Sequence, residues 1–299
     1  MRHGSRCLVS TLLVALFLLA DPGKAESQSY PITGMVDLHV HAAPDSRAPR
    51  SINVLDAARF AQNRGMRALL IKNHYTETAS QAYLVEEEVP GIEIYGGIVL
   101  NRTVGGLNPT AVENMARITG GHGKVVWLPT FDSQHNAADT DNVPIALGGV
   151  LLPETIRVLE MVAEHELALA TGHSSPDEVL LVIREAKAIG IDRIVVTHPS
   201  SALVGMSIEQ QREAAGLGAL LEYTMMTVVG SEPINGFAEQ IQAVGPENVV
   251  LTTDLGQADN PIHVDGMDSV LPRLEAFGFS RDEIDIMTKR NPARLLGLD

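Results

Sequence analysis

From residue 34 almost to its end, the chain alternates short apolar runs with longer stretches of helical period. The runs cover 35–40, 68–72, 92–100, 124–129, 167–171, 193–197, 219–223 and 248–253, and most close on small or polar residues. Between them, amphipathic patterns occupy 53–64, 109–119, 153–165, 176–189 and 207–215. Strands that alternate with helices predict parallel pairing through βαβ crossovers. Runs that are apolar almost throughout mark strands covered on both faces, as in a parallel sheet. Eight such units predict an α/β protein, a (β/α)8 TIM barrel, as a single domain over 34–299. Local signals agree. Ser174-Ser175-Pro176-Asp177-Glu178 offers a capping hydroxyl, a first-turn proline and acids at the positive helix end. Asn291-Pro292 predicts a similar start for a last helix over 293–298. The segment 132–150, rich in Asp, Asn, Gly and Pro, reads as a loop at the barrel mouth, and 26–33 as a short tail ahead of the barrel.

The first 25 residues follow another pattern. Arg2, His3 and Arg6 precede an apolar run over 7–20, which Asp21, Pro22 and Gly23 break before Gly23-Lys24-Ala25. That order is the layout of a secretory signal peptide. The run is shorter than the roughly 20 residues that span a bilayer as a helix. Residues 1–25 are therefore expected to be removed, leaving an exported protein, periplasmic or secreted, with no membrane attachment. The single cysteine, Cys7, would leave with them, so the mature chain forms no disulfide and offers a metal only nitrogen and oxygen. A formal charge of -15 argues against nucleic acid, which needs clustered Lys and Arg. A small-molecule substrate is the expected partner, and the oligomeric state is left open.

The histidines carry the chemistry. His39 and His41 close the first run in Asp37-Leu38-His39-Val40-His41, and strand residues i and i+2 point to one face. His173 follows the fifth run, His198 the sixth and Asp254 the eighth. In a barrel of this kind the carboxyl ends of all strands meet at one mouth, where active sites form. Four imidazoles and one carboxylate there suit zinc or a similar divalent metal.

These residues, together with the closing segment 291–298, resemble the amidohydrolase superfamily of metal-dependent barrels, over roughly residues 34 to 298. The resemblance implies that His39, His41, His173 and Asp254 contact the metal, and that His198 either binds a metal or positions the attacking water. One feature departs from the family. Its binuclear members carry a bridging lysine or glutamate at the end of strand 4, where this chain has Trp127-Leu128-Pro129-Thr130. One Zn2+ is therefore expected, with Lys72 or Glu222 recruiting a second ion only if geometry permits.

Such a metal would lower the pKa of its water to about 7. Asp254 would act as general base and then acid, and His198 would orient the water or stabilise the oxyanion. Lys72, His74, Arg102, Thr130 and Glu222, all at strand ends, are the expected substrate-binding residues, with Arg102 a bidentate partner for carboxylate or phosphate. His122, His165 and His263 lie away from strand ends and read as surface residues. Ser174 and Ser201 lack a nucleophile elbow, which argues against a serine hydrolase. The expected reaction is hydrolysis of a C–N, C–O or P–O bond in a small molecule. A metal-dependent decarboxylase and a non-catalytic metal-binding barrel are the alternatives.

Overall fold

The strands form where the runs of aliphatic residues lie. The computed structural model describes Met1 and residues 29–137, 141–230 and 234–298, so the leader expected over 1–25 falls outside it apart from Met1. In chain order the strands are β1 (Val36–Val40), β2 (Ala68–Ile71), β3 (Glu93–Val99), β4 (Gly123–Trp127), β5 (Ala146–Leu147), β6 (Val150–Leu151), β7 (Ala168–Ala170), β8 (Ile194–Val196), β9 (Leu220–Thr224) and β10 (Val249–Thr252). Eight of them make one parallel sheet in the order β1-β2-β3-β4-β7-β8-β9-β10, with helices between, a (β/α)8 barrel in one domain. The remaining two, β5 and β6, form a small antiparallel hairpin inside the segment expected as a mouth loop.

Closure between β1 and β10 is made at the mouth. Asp254 N–H donates to His39 O and His41 N–H to Leu255 O, both at 2.8 Å. Below them the buried Asp37 carboxylate accepts from both threonine hydroxyls, Thr252 and Thr253, and from the backbone N–H of Thr253 at 3.1 Å. A buried carboxylate is costly unless its oxygens are satisfied. Besides His39 N–H of its own strand at 3.2 Å, its donors come from the opposite side of the seam, so satisfying it closes the barrel.

Period-two alternation then sorts the barrel's layers. Leu70 precedes Lys72 by two, Leu220 precedes Glu222, and Val250 precedes Thr252. The three aliphatic residues belong to a buried apolar cluster with Trp127, Ala170 and Val195. The polar partners form the layer above. A larger cluster lies between strands and helices and supplies most of the core.

Three expectations change. Asn291 does not cap a helix. The helix Arg281–Asp285 runs through a π-turn, Ile286–Arg290, into Asn291–Leu296. The wider turn accommodates Pro292, which has no N–H for an ordinary i−4 bond. Asn291 Nδ2 instead donates to the carbonyls of Glu247 and Val249 at 3.0 and 2.8 Å, fixing the start of β10. The described part of the tail packs on the barrel, with Tyr30 and Ile32 both in the core. His122 and His263 are buried, not on the surface. His122 Nδ1 donates to Ile94 O at 2.8 Å, a bond between distant segments that local pattern does not reveal. Among the described residues, no helix is long and apolar enough to cross a membrane.

Candidate metal centre

At the barrel mouth, β1 brings His39 and His41 against Asp254, which follows β10. The three ligand atoms form a tight triangle. His39 Nε2 and His41 Nε2 lie 3.0 and 3.1 Å from Asp254 Oδ1, and 3.2 Å from each other. The other nitrogen of each ring explains what the triangle is for. His39 Nδ1 lies 3.0 Å from Glu222 Oε1, and His41 Nδ1 lies 3.1 Å from the backbone oxygen of Lys72. Carboxylate and carbonyl oxygens only accept, so both Nδ1 atoms carry the hydrogen. In the neutral rings each Nε2 is then a bare lone pair, and three electron-rich atoms face one another. That donor set fits a divalent cation. A point about 2.1 Å from all three atoms, the usual zinc-to-ligand distance, lies roughly 1 Å off the triangle's plane. Among the described residues this is the one group of three such side chains with convergent ligand atoms.

The backbone is bent to deliver these groups. Asp254 and His198 both have positive φ, 54° and 24°, which non-glycine residues seldom adopt. Each is tied in place: Asp254 N–H bonds to His39 O, and His198 N–H donates to Glu222 Oε2 at 3.2 Å. Glu222 thus spends one oxygen on His39 and the other on His198. It holds both histidines in place.

His173 and His198 stand on the β7–β8 side. With His39, His41 and His74 they complete a circuit of imidazoles around the mouth. Centroid separations are 5.0 Å for His39–His41, 5.1 Å for His41–His74, 6.4 Å for His74–His173, 4.9 Å for His173–His198 and 6.3 Å for His198–His39. Among the described residues, the buried Nδ1 atoms of His173 and His198 have no hydrogen-bond partner. Lys72 Nζ is also buried and unpartnered, 5.4 Å from the Trp127 ring centre.

Burial opposes charge on all these groups, and their neighbours decide which keep it. Burial works against ionisation of Asp254, yet the charges and hydrogen bonds of His39 and His41 hold its carboxyl well below the usual range. Glu222 is lowered in the same way, with His39 outweighing burial. His39 is raised because Asp254 and Glu222 together overcome its desolvation. His41 and His198 are pushed down by burial to about 4, and burial lowers His173 and His74 as well. At neutral pH four of the five rings are therefore uncharged, the form that ligates metals.

The remaining expected residues divide. His74 and Thr130 are buried at the mouth and hydrogen-bond each other at 2.9 Å. Arg102 is exposed and turns away to pair with Asp141 at 3.1 Å. A pocket of about 200 Å³ opens beside the centre between His198 and Glu222, lined also by Ser200, Ser201, Thr224, Thr227, Val228, Phe237 and Gln240. Thr224 and Asp37 were not singled out as functional from sequence. The signal for Thr224 was period two, since it follows Glu222 by two, whereas for Asp37 the strand register shifts between it and Val40, so period two does not reach it.

A parallel barrel with a buried His-His-Asp cluster at its mouth defines a TIM-barrel protein with a site suited to a metal. More narrowly, the chain belongs to a family of unknown function, DUF6282, which matches residues 34–222. No curated protein sequence matches it. Among solved structures it is similar to the lactonase Lmo2620 from Listeria monocytogenes, at 13% identity and a TM-score of 0.63, covering 89% of this chain and 95% of that one. It is also similar to the phosphotriesterase homology protein from Escherichia coli, described with phosphate in its active site (15% identity, TM-score 0.57, 89% and 99% coverage). A third neighbour is the organophosphorus hydrolase from Deinococcus radiodurans (16% identity, TM-score 0.55, 81% and 82% coverage). At these identities the likeness is one of fold.

Proposed function

We propose that this protein is a metal-dependent hydrolase that cleaves a C–O, C–N or P–O bond in a small, uncharged molecule outside the cytoplasm. The reading is carried by the convergence of His39 Nε2, His41 Nε2 and Asp254 Oδ1 within 3.2 Å, with both Nδ1 hydrogens committed elsewhere. These three residues would hold one divalent ion, Zn2+ by the nature of the donors. Such an ion supplies Lewis acidity and an acidified water at neutral pH. Around it, the chain's own groups have separate tasks. Glu222 and the Lys72 carbonyl keep His39 and His41 in the tautomer that presents Nε2. Asp254 Oδ1 faces the two imidazoles, and Oδ2 is the oxygen that takes the water's proton and passes it to the leaving group. His173 and His198 stand beside the centre with buried Nδ1 atoms that have no partner among the described residues, and His198 also lines the adjoining pocket.

The pocket favours a neutral substrate. Its one charged lining group among the described residues is Glu222, and Arg102 is paired with Asp141. An acid awaiting decarboxylation, or a phosphate monoester, would meet the Glu222 carboxylate in this pocket, whose lining holds no Lys or Arg among the described residues. A lactone, ester, amide or neutral phosphotriester would not. The lactonase and organophosphorus hydrolase among the structural neighbours are consistent with that choice.

The test pairs elemental analysis with a substrate screen on wild type and Asp254→Asn. About one ion per chain is expected, with turnover of neutral esters, lactones or phosphotriesters that falls by roughly 10²–10⁴-fold in the variant. A metal-loaded, folded protein whose best turnover survives Asp254→Asn would overturn the proposal.

A further inference from the structure

His74 is wired to the backbone through two side chains, and the wiring leaves its ring one tautomer. Asn101, fully buried after β3, accepts the backbone N–H of Thr130 at its Oδ1, 2.9 Å away. That bond identifies the oxygen and turns Nδ2 toward His74 O at 3.0 Å and Thr130 Oγ1 at 2.8 Å. Thr130 Oγ1 accepts from Asn101 and must still place its own hydrogen. The residue is 0% exposed, so water does not reach it. Among the described residues the acceptor within reach is His74 Nδ1, at 2.9 Å. Nδ1 is then an acceptor, and in a neutral imidazole the hydrogen sits on Nε2. The ring packs against His41 at 5.1 Å and against Phe131 at 4.4 Å between centroids, so it has little freedom to turn.

We infer that His74 is a fixed hydrogen-bond donor, through Nε2–H, for the substrate oxygen that gains charge during hydrolysis: the carbonyl oxygen of an ester, lactone or amide, or the phosphoryl oxygen of a neutral phosphoester. The inference rests on the hydrolytic reading of the mouth. Its polarity is opposite to that of the two rings beside it. His39 and His41 give their Nδ1 hydrogens to acceptors behind them and turn lone pairs inward. His74 accepts a hydrogen from behind and turns one outward. The mouth therefore offers lone pairs to a cation and a hydrogen to an oxygen, using one residue type sorted by what stands behind each ring. A donor aimed at a growing negative charge stabilises the transition state more than the ground-state carbonyl. His74 accordingly acts on kcat more than on KM, and it takes no proton. Thr130 and Asn101 are positioning residues that act through it.

The full chain, labelled with 15N-histidine, tests the wiring directly by long-range 1H–15N correlation spectra at pH 7, metal-free and zinc-loaded. The His74 signals are assigned with His74→Phe. A neutral Nε2–H ring is expected in wild type and in Thr130→Ser. In folded Thr130→Val, the Nδ1–H form should appear. A wild-type ring that is Nδ1–H or doubly protonated overturns the inference, whatever the chain hydrolyses. Inorganic phosphate then probes the donor: its binding should shift the Nε2–H proton, and phosphate bound without that shift overturns the role. On any substrate turned over, His74→Phe should lower kcat by about 100-fold with KM nearly unchanged, and His74→Gln, which keeps a donor, should recover part of the loss. If phosphate does not bind and nothing is hydrolysed while the Nε2–H tautomer is present, the hydrolytic reading fails and the wiring stands.

Discussion

His39 and His41 on one side of the mouth, and His173 and His198 on the other, are the same residue type at the same depth, yet they are wired differently. On the β1–β10 side each Nδ1 has an acceptor, Glu222 for His39 and the Lys72 carbonyl for His41. The Nδ1 hydrogens are set before any ligand arrives, and both Nε2 atoms aim at Asp254. On the β7–β8 side the Nδ1 atoms of His173 and His198 are buried and, among the described residues, unpartnered. A buried polar atom without a partner costs roughly 1–3 kcal/mol, so these two rings gain most from whatever the site binds. The first pair is preorganised, and the second is completed by its ligand. The largest expected effect follows from that difference. His41→Ala should weaken metal binding by more than the roughly 10–100-fold that changes around a ligand cost, while His173→Ala should stay within that range. Competition with a chromophoric chelator measures both. Equal loss in the two variants would make His173 a ligand of the same rank and erase the distinction.

How much of this was legible beforehand depended on distance along the chain. The eight strands could be read because each is a local run, and the His39–His41 pair because two residues in one strand share a face. Asp254 needed only the rule that strand ends meet. The wiring was out of reach, since His39 and Glu222 are 183 positions apart and His74 and Thr130 are 56 apart, and no local pattern encodes which lone pair faces which donor. Arg102 shows the limit from the other side. Its position at a strand end was legible, but the turn of its side chain toward Asp141 was not. His263 was read as a surface residue because it lies away from the strand ends; in the structure it opens the helix His263–Phe277. Leu255 fills the space beside Gly266, pressing that helix against the barrel mouth. His263 lies three positions earlier on the same helix face and is buried with it.

His263 also serves as a control for the unpartnered rings. Among the described residues both of its nitrogens are buried without partners, yet it belongs to no cluster of ligand atoms. Burial alone pushes it down to about 4. The unfolded chain, with an ordinary value near 6.5, binds the extra proton first as pH falls, so stability is lost from about pH 6.5 downward until the folded ring itself titrates near 4. At pH 5 the loss is about 2 kcal/mol. His263→Leu should remove it. Urea unfolding at pH 8 and pH 5 should show the variant gaining about that much on wild type at the lower pH. A gain that does not depend on pH would mean that packing, not titration, sets the difference.

The smallest expected effect probes what Glu222 contributes to the preorganised side. Its carboxylate fixes the hydrogen on His39 Nδ1 and, by its charge, makes the opposite nitrogen a better donor to a cation. Glu222→Gln separates the two contributions at His39, because the amide oxygen can still accept from Nδ1 while the charge is gone. The NH2 in place of Oε2 loses the bond from His198 N–H. The tautomer should survive, and metal affinity should fall about tenfold, the lower end of what partners of ligating histidines contribute. Glu222→Ala removes the acceptor as well and should approach about 100-fold. If the two variants lose affinity equally, the charge matters and the tautomer needs no guard. If Gln behaves as wild type and Ala does not, direction alone accounts for the partner. If neither variant changes affinity, Glu222 is not what distinguishes the two sides of the mouth.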